Sequence, residues 1–181
     1  MKKLLMIATL ALAGVTSAHA GIGLGAVFGS GTSWGGWGFG WGVGLSIGLG
    51  EYDRVDWEFA IRFAGGSRAF YINLDSAWHF FQLDIVEFMA FYIGVGPYVN
   101  LSFISGIKNH VTNDSYGGGF GLDFGGRLPL GLRFFFADRF DAWIAIVPQI
   151  GLRLGFGDFY ANSRVRVGGG IGGEIGIRYW F

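Results

Sequence analysis

Residues 37 to 49 read Trp37-Gly38-Phe39-Gly40-Trp41-Gly42-Val43-Gly44-Leu45-Ser46-Ile47-Gly48-Leu49. Every odd position holds a large apolar residue and every even one a glycine or serine. Side chains of a strand alternate between its two faces, so this stretch has one greasy face and one nearly bare face. Wound as a helix, it would scatter the aromatics around the whole circumference. It would also place several glycines in a helix interior, at about 1 kcal/mol each relative to alanine. The stretch is a strand.

The end of the chain repeats the pattern. Val165, Val167, Ile171, Ile175, Ile177, Tyr179 and Phe181 alternate with Arg166, Gly168, Gly170, Gly172, Glu174, Gly176, Arg178 and Trp180. The same period predicts strands at 21–28, 37–49, 55–64, 69–80, 88–104, 118–130, 142–156 and 164–181. Turns are expected around 51–54, 82–87 and 135–141, and loops around 29–36, 65–68, 105–117 and 157–163. An even count of eight places both termini on one side, as in single-chain bacterial barrels.

What the apolar faces meet follows from composition. The chain is 51% hydrophobic, 18% aromatic and only 14% charged, too little polar surface to cover a soluble sandwich of this many strands. The expectation is an all-β, closed antiparallel up-and-down transmembrane β-barrel of about eight strands, apolar side to lipid. Residues 21–50 and 88–107 carry no charge and are long enough for a membrane helix. Alternating glycines in the first and Pro97 and Asn100 in the second argue for strands instead. The chain has no cysteine, so no disulfide supports it.

The first twenty residues read as a secretory signal peptide. Lys2 and Lys3 form a basic start, residues 4–15 an apolar stretch, and Ala18-His19-Ala20 an A-x-A-like cleavage site. Cleavage near Ala20 leaves 21–181 as one barrel domain, exported to the bacterial outer membrane. Without Lys2 and Lys3 there are eleven basic and thirteen acidic residues, a balance that gives no reason to expect nucleic acid as a partner.

The final residues, Gly176-Ile177-Arg178-Tyr179-Trp180-Phe181, resemble the C-terminal targeting signal of outer-membrane barrels. With the signal peptide and the strand count, the whole mature chain resembles the small eight-stranded barrels of the OmpA transmembrane-domain, OmpX and OmpW types. The resemblance implies insertion by the barrel-assembly machinery after escort by periplasmic chaperones, with Tyr179 and Phe181 as the assembly signal. It implies no catalytic residue. The 35 glycines depart from such relatives and put any shared interior in doubt.

Parity assigns Glu58 and Arg62 to the inward face of the third strand, Asp75 and His79 to that of the fourth, and Asp123 and Arg127 to that of the sixth. Arg153 on the seventh follows, with Arg166, Glu174 and Arg178 on the last. Charges enclosed in a narrow barrel must be paired or hydrated, so a salt-bridge network across the lumen is expected. Tyr71, Tyr92, Tyr98 and Trp180 are candidates to fill the space that inward glycines leave. Trp57, Trp78, Trp143, Phe134, Tyr179 and Phe181 fit aromatic girdles at the membrane interfaces.

Two functions suit such a molecule. One is a non-enzymatic envelope protein whose longest loop, carrying Lys108, His110, Asn113 and Asp114, contacts an extracellular or host ligand. The other is a narrow channel for small solutes or apolar compounds. His110, Asp114 and Ser115 share a loop, but polar residues of these types are ordinary turn chemistry and make no triad by proximity. No histidine or cysteine grouping has metal-ligand spacing, and the Gly-x-Gly runs lack the following helix that a phosphate loop requires. No cofactor is expected.

Overall fold

The computed structural model describes residues 21–34, 41–65, 69–108, 115–157 and 165–181. Residues 1–20, expected to be a signal peptide, residues 37–40 of the expected second strand, and residues 35–36, 66–68, 109–114 and 158–164 lie outside this set. Among the described residues, eleven antiparallel strands follow one another: β1 Gly21–Trp34, β2 Gly42–Gly50, β3 Val55–Gly65, β4 Ala69–Val86, β5 Met89–Ile104, β6 Ile107–Lys108, β7 Ser115–Tyr116, β8 Gly119–Arg127, β9 Leu130–Phe136, β10 Phe140–Gly157 and β11 Val165–Trp180. Each long strand pairs with its sequence neighbour. The ring then closes where β1 meets β11, from Gly23 opposite Trp180 to Trp34 opposite Gly169.

β8 and β9 occupy one position in that ring. Arg127 faces Gly96 on one side and Gln149 on the other, while Leu130 faces Ile93 and Ile146 in the same registers. The formal break falls at Leu128-Pro129 because Pro129 has no N–H to give the ladder. The backbone still connects there: Leu128 N–H donates to the Pro148 carbonyl and Gly94 N–H to that of Pro129, each at 2.9 Å. Counted this way, eight strands enclose the lumen. The fold is an antiparallel eight-stranded β-barrel.

Several boundaries differ from those the sequence suggests. β1 continues to Trp34 rather than stopping at 28, and β4 to Val86 rather than 80, which leaves a tight turn at Glu87 and Phe88. The sixth ring position runs to Phe136, and β10 begins at Phe140, so the expected 135–141 turn shrinks to residues 137–139. Within the expected 105–117 loop, β6 and β7 form a two-residue ladder. Strand pairing satisfies backbone groups that a loop would leave to solvent, and it carries these strands past the point where side-chain alternation is obvious. No helix among the described residues is long and apolar enough to cross a membrane.

Burial is inside out. Outward residues such as Leu45, Ile146 and Val167 are 61 to 70% exposed, whereas the inward face of each strand is closed off. Glycine lets large rings lie flat across the lumen. A Cβ at Gly23 would come within 2.8 Å of the Trp180 ring, one at Gly131 within 2.7 Å of Tyr92, and one at Gly151 within 2.7 Å of the Tyr98 hydroxyl. Gly176 sits directly across from Trp143, whose ring occupies the space a Cβ would need. Trp143 is therefore a lumen residue, 1% exposed, and not part of an outer girdle. Its position in the odd, inward series of β10 decides this.

The contrast between inward and outward glycines is testable. A Cβ at outward Gly126 meets nothing within 4 Å. Gly176→Val is expected to cost about 1–3 kcal/mol by overpacking against Trp143, and Gly126→Val to stay within about 0.5 kcal/mol of the parent. Urea unfolding of the detergent-folded protein reads both.

Candidate functional site

Among the described residues, chemically active side chains converge in the lumen. Five arginines, Arg62, Arg127, Arg133, Arg153 and Arg178, meet five carboxylates, Glu58, Asp75, Asp123, Asp141 and Glu174, and all ten are buried. Strand periodicity places them in layers. Glu58 and Arg62, Asp75 and His79, Asp123 and Arg127, and Glu174 and Arg178 are each four residues apart on one face, about 13 Å along a strand. Each layer takes its members from several strands.

Nearest the turns and the C-terminus, Arg178 donates from Nη1 to Glu58 Oε2 at 3.2 Å and from Nη2 to Asp141 Oδ2 at 3.0 Å. Arg133 Nε lies 3.2 Å from Asp141 Oδ2, and Trp180 Nε1 donates to Asp141 Oδ1 at 2.9 Å. Asp141 thus holds two guanidinium groups and an indole at once. The Arg178 guanidinium also stacks over Trp143, 4.1 Å from its ring centre, and that of Arg133 over Tyr92, at 4.8 Å. Such contacts gain strength where water is excluded.

His79 belongs to the same layer. Its Nδ1 is 3.1 Å from Arg133 Nη2 and its Nε2 is 3.9 Å from Glu58 Oε2, while its ring stacks on Tyr92 with centroids 4.6 Å apart. An arginine can only donate, so Nδ1 accepts and the ring is the neutral tautomer with its proton on Nε2.

The middle layer is a four-membered ring of charge. Arg62 and Arg127 each bridge Asp75 and Glu174, the Arg127 Nη2–Glu174 Oε2 bond measuring 2.7 Å. Asn73 Oδ1 accepts a further bond from Arg62 at 3.1 Å. Beside this ring is a cavity of only about 10 Å³, bordered by Tyr98, Gln149 and Gly172 among others, scarcely the volume of one water molecule. Toward the loops, Arg153 clasps Asp123 with two bonds of 2.5 and 2.7 Å, and Asn100 donates to Asp123 at 3.0 Å. Each layer is electrically neutral by itself.

Of the inward charges read from parity, Arg166 alone is exposed, at the loop end of β11. The sequence reading misses Arg133 and Asp141, because Arg133 lies past the expected strand end at 130 and Asp141 within the expected 135–141 turn. Carrying the odd parity of Asp123 and Arg127 through Pro129 to 133, and that of Arg153 back to 141, would have found both. Tyr179 lies on the outward face, its hydroxyl accepting from Arg139 Nη1 at 3.2 Å. Phe181 is exposed and packs edge-on against Tyr179. Lys108 is in β6, and His110, Asn113 and Asp114 lie outside the described residues. No group of three or more acidic, histidine or cysteine side chains among the described residues is arranged to hold a metal ion.

No protein-family model and no curated protein matches the chain. Among solved structures, it is similar to the N-terminal β-barrel domain of Pseudomonas aeruginosa OprF, at 18% identity and a TM-score of 0.49, covering 89% of this chain and 97% of that one. Ail, the attachment invasion locus protein of Yersinia pestis, gives 13% identity and a TM-score of 0.46, and Neisserial surface protein A 15% and 0.46. Both comparisons cover 90% of this chain and 97% of the other.

The shared role of Asp141 sets a measurable expectation. Asp141→Ala strips Arg133 of its only carboxylate partner among the described residues and Arg178 of one of two. A loss of about 3–5 kcal/mol in unfolding free energy is expected, the usual consequence of leaving a buried charge uncompensated. The exposed Arg54–Asp56 pair, 3.9 Å apart, is the control: Asp56→Ala should change stability by less than about 1 kcal/mol.

Proposed function

We propose that this chain is an integral protein of the bacterial outer membrane, without enzymatic activity, whose barrel serves envelope structure and whose loops contact ligands outside the cell. The observation that carries this reading is the inside-out distribution of polarity: five arginines and five carboxylates of the strands are buried in the lumen, with exposed charges such as Asp56, Asp84 and Arg166 near strand ends, while the outward faces between are apolar and exposed. In water those faces would drive aggregation, and in a bilayer they are solvated.

Aromatic rings border the outward face at both ends. Phe63, Phe70, Phe103, Phe120 and Phe156 follow one another around the loop end, with centroids 5.3 to 6.4 Å apart. At the turn end Trp78 packs with Phe80, and Phe140 with Tyr179. On β4, Phe70 and Phe80 are ten residues apart, roughly 33 Å along the strand and about 25 Å in height at a tilt near 40°. That is the apolar height of an outer-membrane barrel.

Export through removal of residues 1–20, delivery by periplasmic chaperones and insertion by the barrel-assembly machinery through Tyr179 and Phe181 complete the proposal. The long loop with Lys108, His110, Asn113 and Asp114 is its ligand-contacting part. The three layers of paired charge favour a closed lumen over the competing reading, a narrow channel for small solutes or apolar compounds. Eight strands leave an interior that side chains can fill, and here they do.

Refolded protein that migrates as a heat-modifiable species on a gel is therefore expected to give no reproducible single-channel openings in planar bilayers. Regular openings whose conductance changes with Glu174→Ala would reverse the assignment in favour of the channel. In cells, Phe181→Ala should lower the amount of folded barrel recovered from the outer membrane, without affecting refolding of the purified chain in detergent.

A further inference from the structure

The turn that joins β2 to β3 does not stand up as a plain hairpin. Gly50 takes a φ of 140°, and the register with β3 shifts between Leu49 and Gly50. Only glycine adopts that φ readily, and the extra residue bends the strand end. Glu51 and Arg54 then exchange backbone hydrogen bonds of 2.8 and 3.0 Å, which makes residues 51–54 a compact unit.

This unit reaches across the barrel end. The Tyr52 hydroxyl donates to the Phe136 carbonyl at 3.3 Å, and its ring meets Phe135 edge-on with centroids 5.6 Å apart. Both partners are on β9, which is separated from β3 in the ring by β4 and β5, so the contact spans the mouth. A second tie comes from β4, where Gln82 Nε2 donates to the Asp53 carbonyl at 2.5 Å. In the mouth are Val55, Ala90, Arg133 and Asp141, none more than 1% exposed.

We infer that residues 51–54 form a hinged cap over the turn-end mouth of the lumen, latched by Tyr52 and Gln82, whose displacement admits solvent to the Arg133–Asp141–Arg178 layer. The latch is slight beside the strand ladders: two side-chain hydrogen bonds and one ring contact, all at the exposed end of the barrel. The cap is also poorly backed. An open hollow of about 180 Å³ beside it is lined by Tyr52, Asp53, Asp84, Val86, Glu87 and Phe135. Asp53, Asp84 and Glu87 form no ion pair among the described residues, so their mutual repulsion opposes closing. Local opening of such a segment leaves the paired strands intact. The cap is a property of the barrel end and stands whether or not the lumen conducts.

The chain has no cysteine, so a single reporter thiol tests the cap directly. Ala90→Cys places it in the mouth, on a fully buried position facing Arg133 across the β5–β9 ladder. With the latch intact, a water-soluble maleimide should label this thiol slowly in detergent-folded protein. Adding Tyr52→Ala should raise the labelling rate at least tenfold, and Tyr52→Phe, which keeps the ring and loses the hydrogen bond, should give an intermediate rate. Heat-modifiable migration identifies the folded fraction. If Tyr52→Ala does not fold, Gln82→Ala weakens the other tie and is expected to accelerate labelling in the same direction. Equal rates with and without the latch, whether fast or slow, would overturn the inference.

Discussion

Closure of the sheet, through pairing of β1 with β11, is the constraint on which the rest depends. Until those strands meet, the inward faces are one side of a curved sheet open to water, and nothing obliges their charges to pair. Once they meet, eight strands enclose a space that side chains can fill. Closure also removes the unpaired edges that would recruit other strands. The lumen then imposes two conditions on the sequence: volume must balance, and charge must balance.

Volume is balanced by setting rings against glycines. Trp143 faces Gly176, Tyr92 faces Gly131 and Trp180 faces Gly23 on directly opposed strand positions, so each large side chain lies over a position that has none. Charge is balanced layer by layer, with two arginines and two carboxylates at the turn end, two and two in the middle, and one pair toward the loops. Buried ion pairs are weak as a source of net stability, but they penalise wrong arrangements heavily. A strand slipped by two residues keeps its apolar face outward while carrying its charges out of their layer. The network thereby distinguishes registers that the hydrophobic pattern alone treats as equivalent.

Much of this was legible beforehand. Alternation over 42–49 and 165–181 shows strand structure, and the scarcity of charge leaves too little polar surface to cover the apolar faces. The four-residue spacing within Glu58/Arg62 and Glu174/Arg178 already separates the layers. Legibility failed at the turn ends. β4 continues through Phe81-Gln82-Leu83, where a register shift against β5 disturbs simple alternation, and the sixth strand hides behind Pro129. Arg133 is lost past Pro129 and Asp141 just before the expected start of the seventh strand, although both keep the inward parity of their strands. Trp143 was misplaced because an aromatic near a strand end looks the same whether its ring faces lipid or crosses the lumen.

The sequence by itself determined the period-two faces, the number of ring positions and most of the charged residues that point inward, because those depend only on local alternation and composition. The tertiary structure alone decided which charges meet, that Asp141 serves two arginines and an indole, and that Tyr52 spans the mouth. Arg178 and Glu58 are 120 positions apart and Arg62 and Glu174 are 112. No local rule couples residues at such separations. They become neighbours only when the ring closes, and their low-dielectric surroundings, which make the pairing compulsory, exist only from that moment.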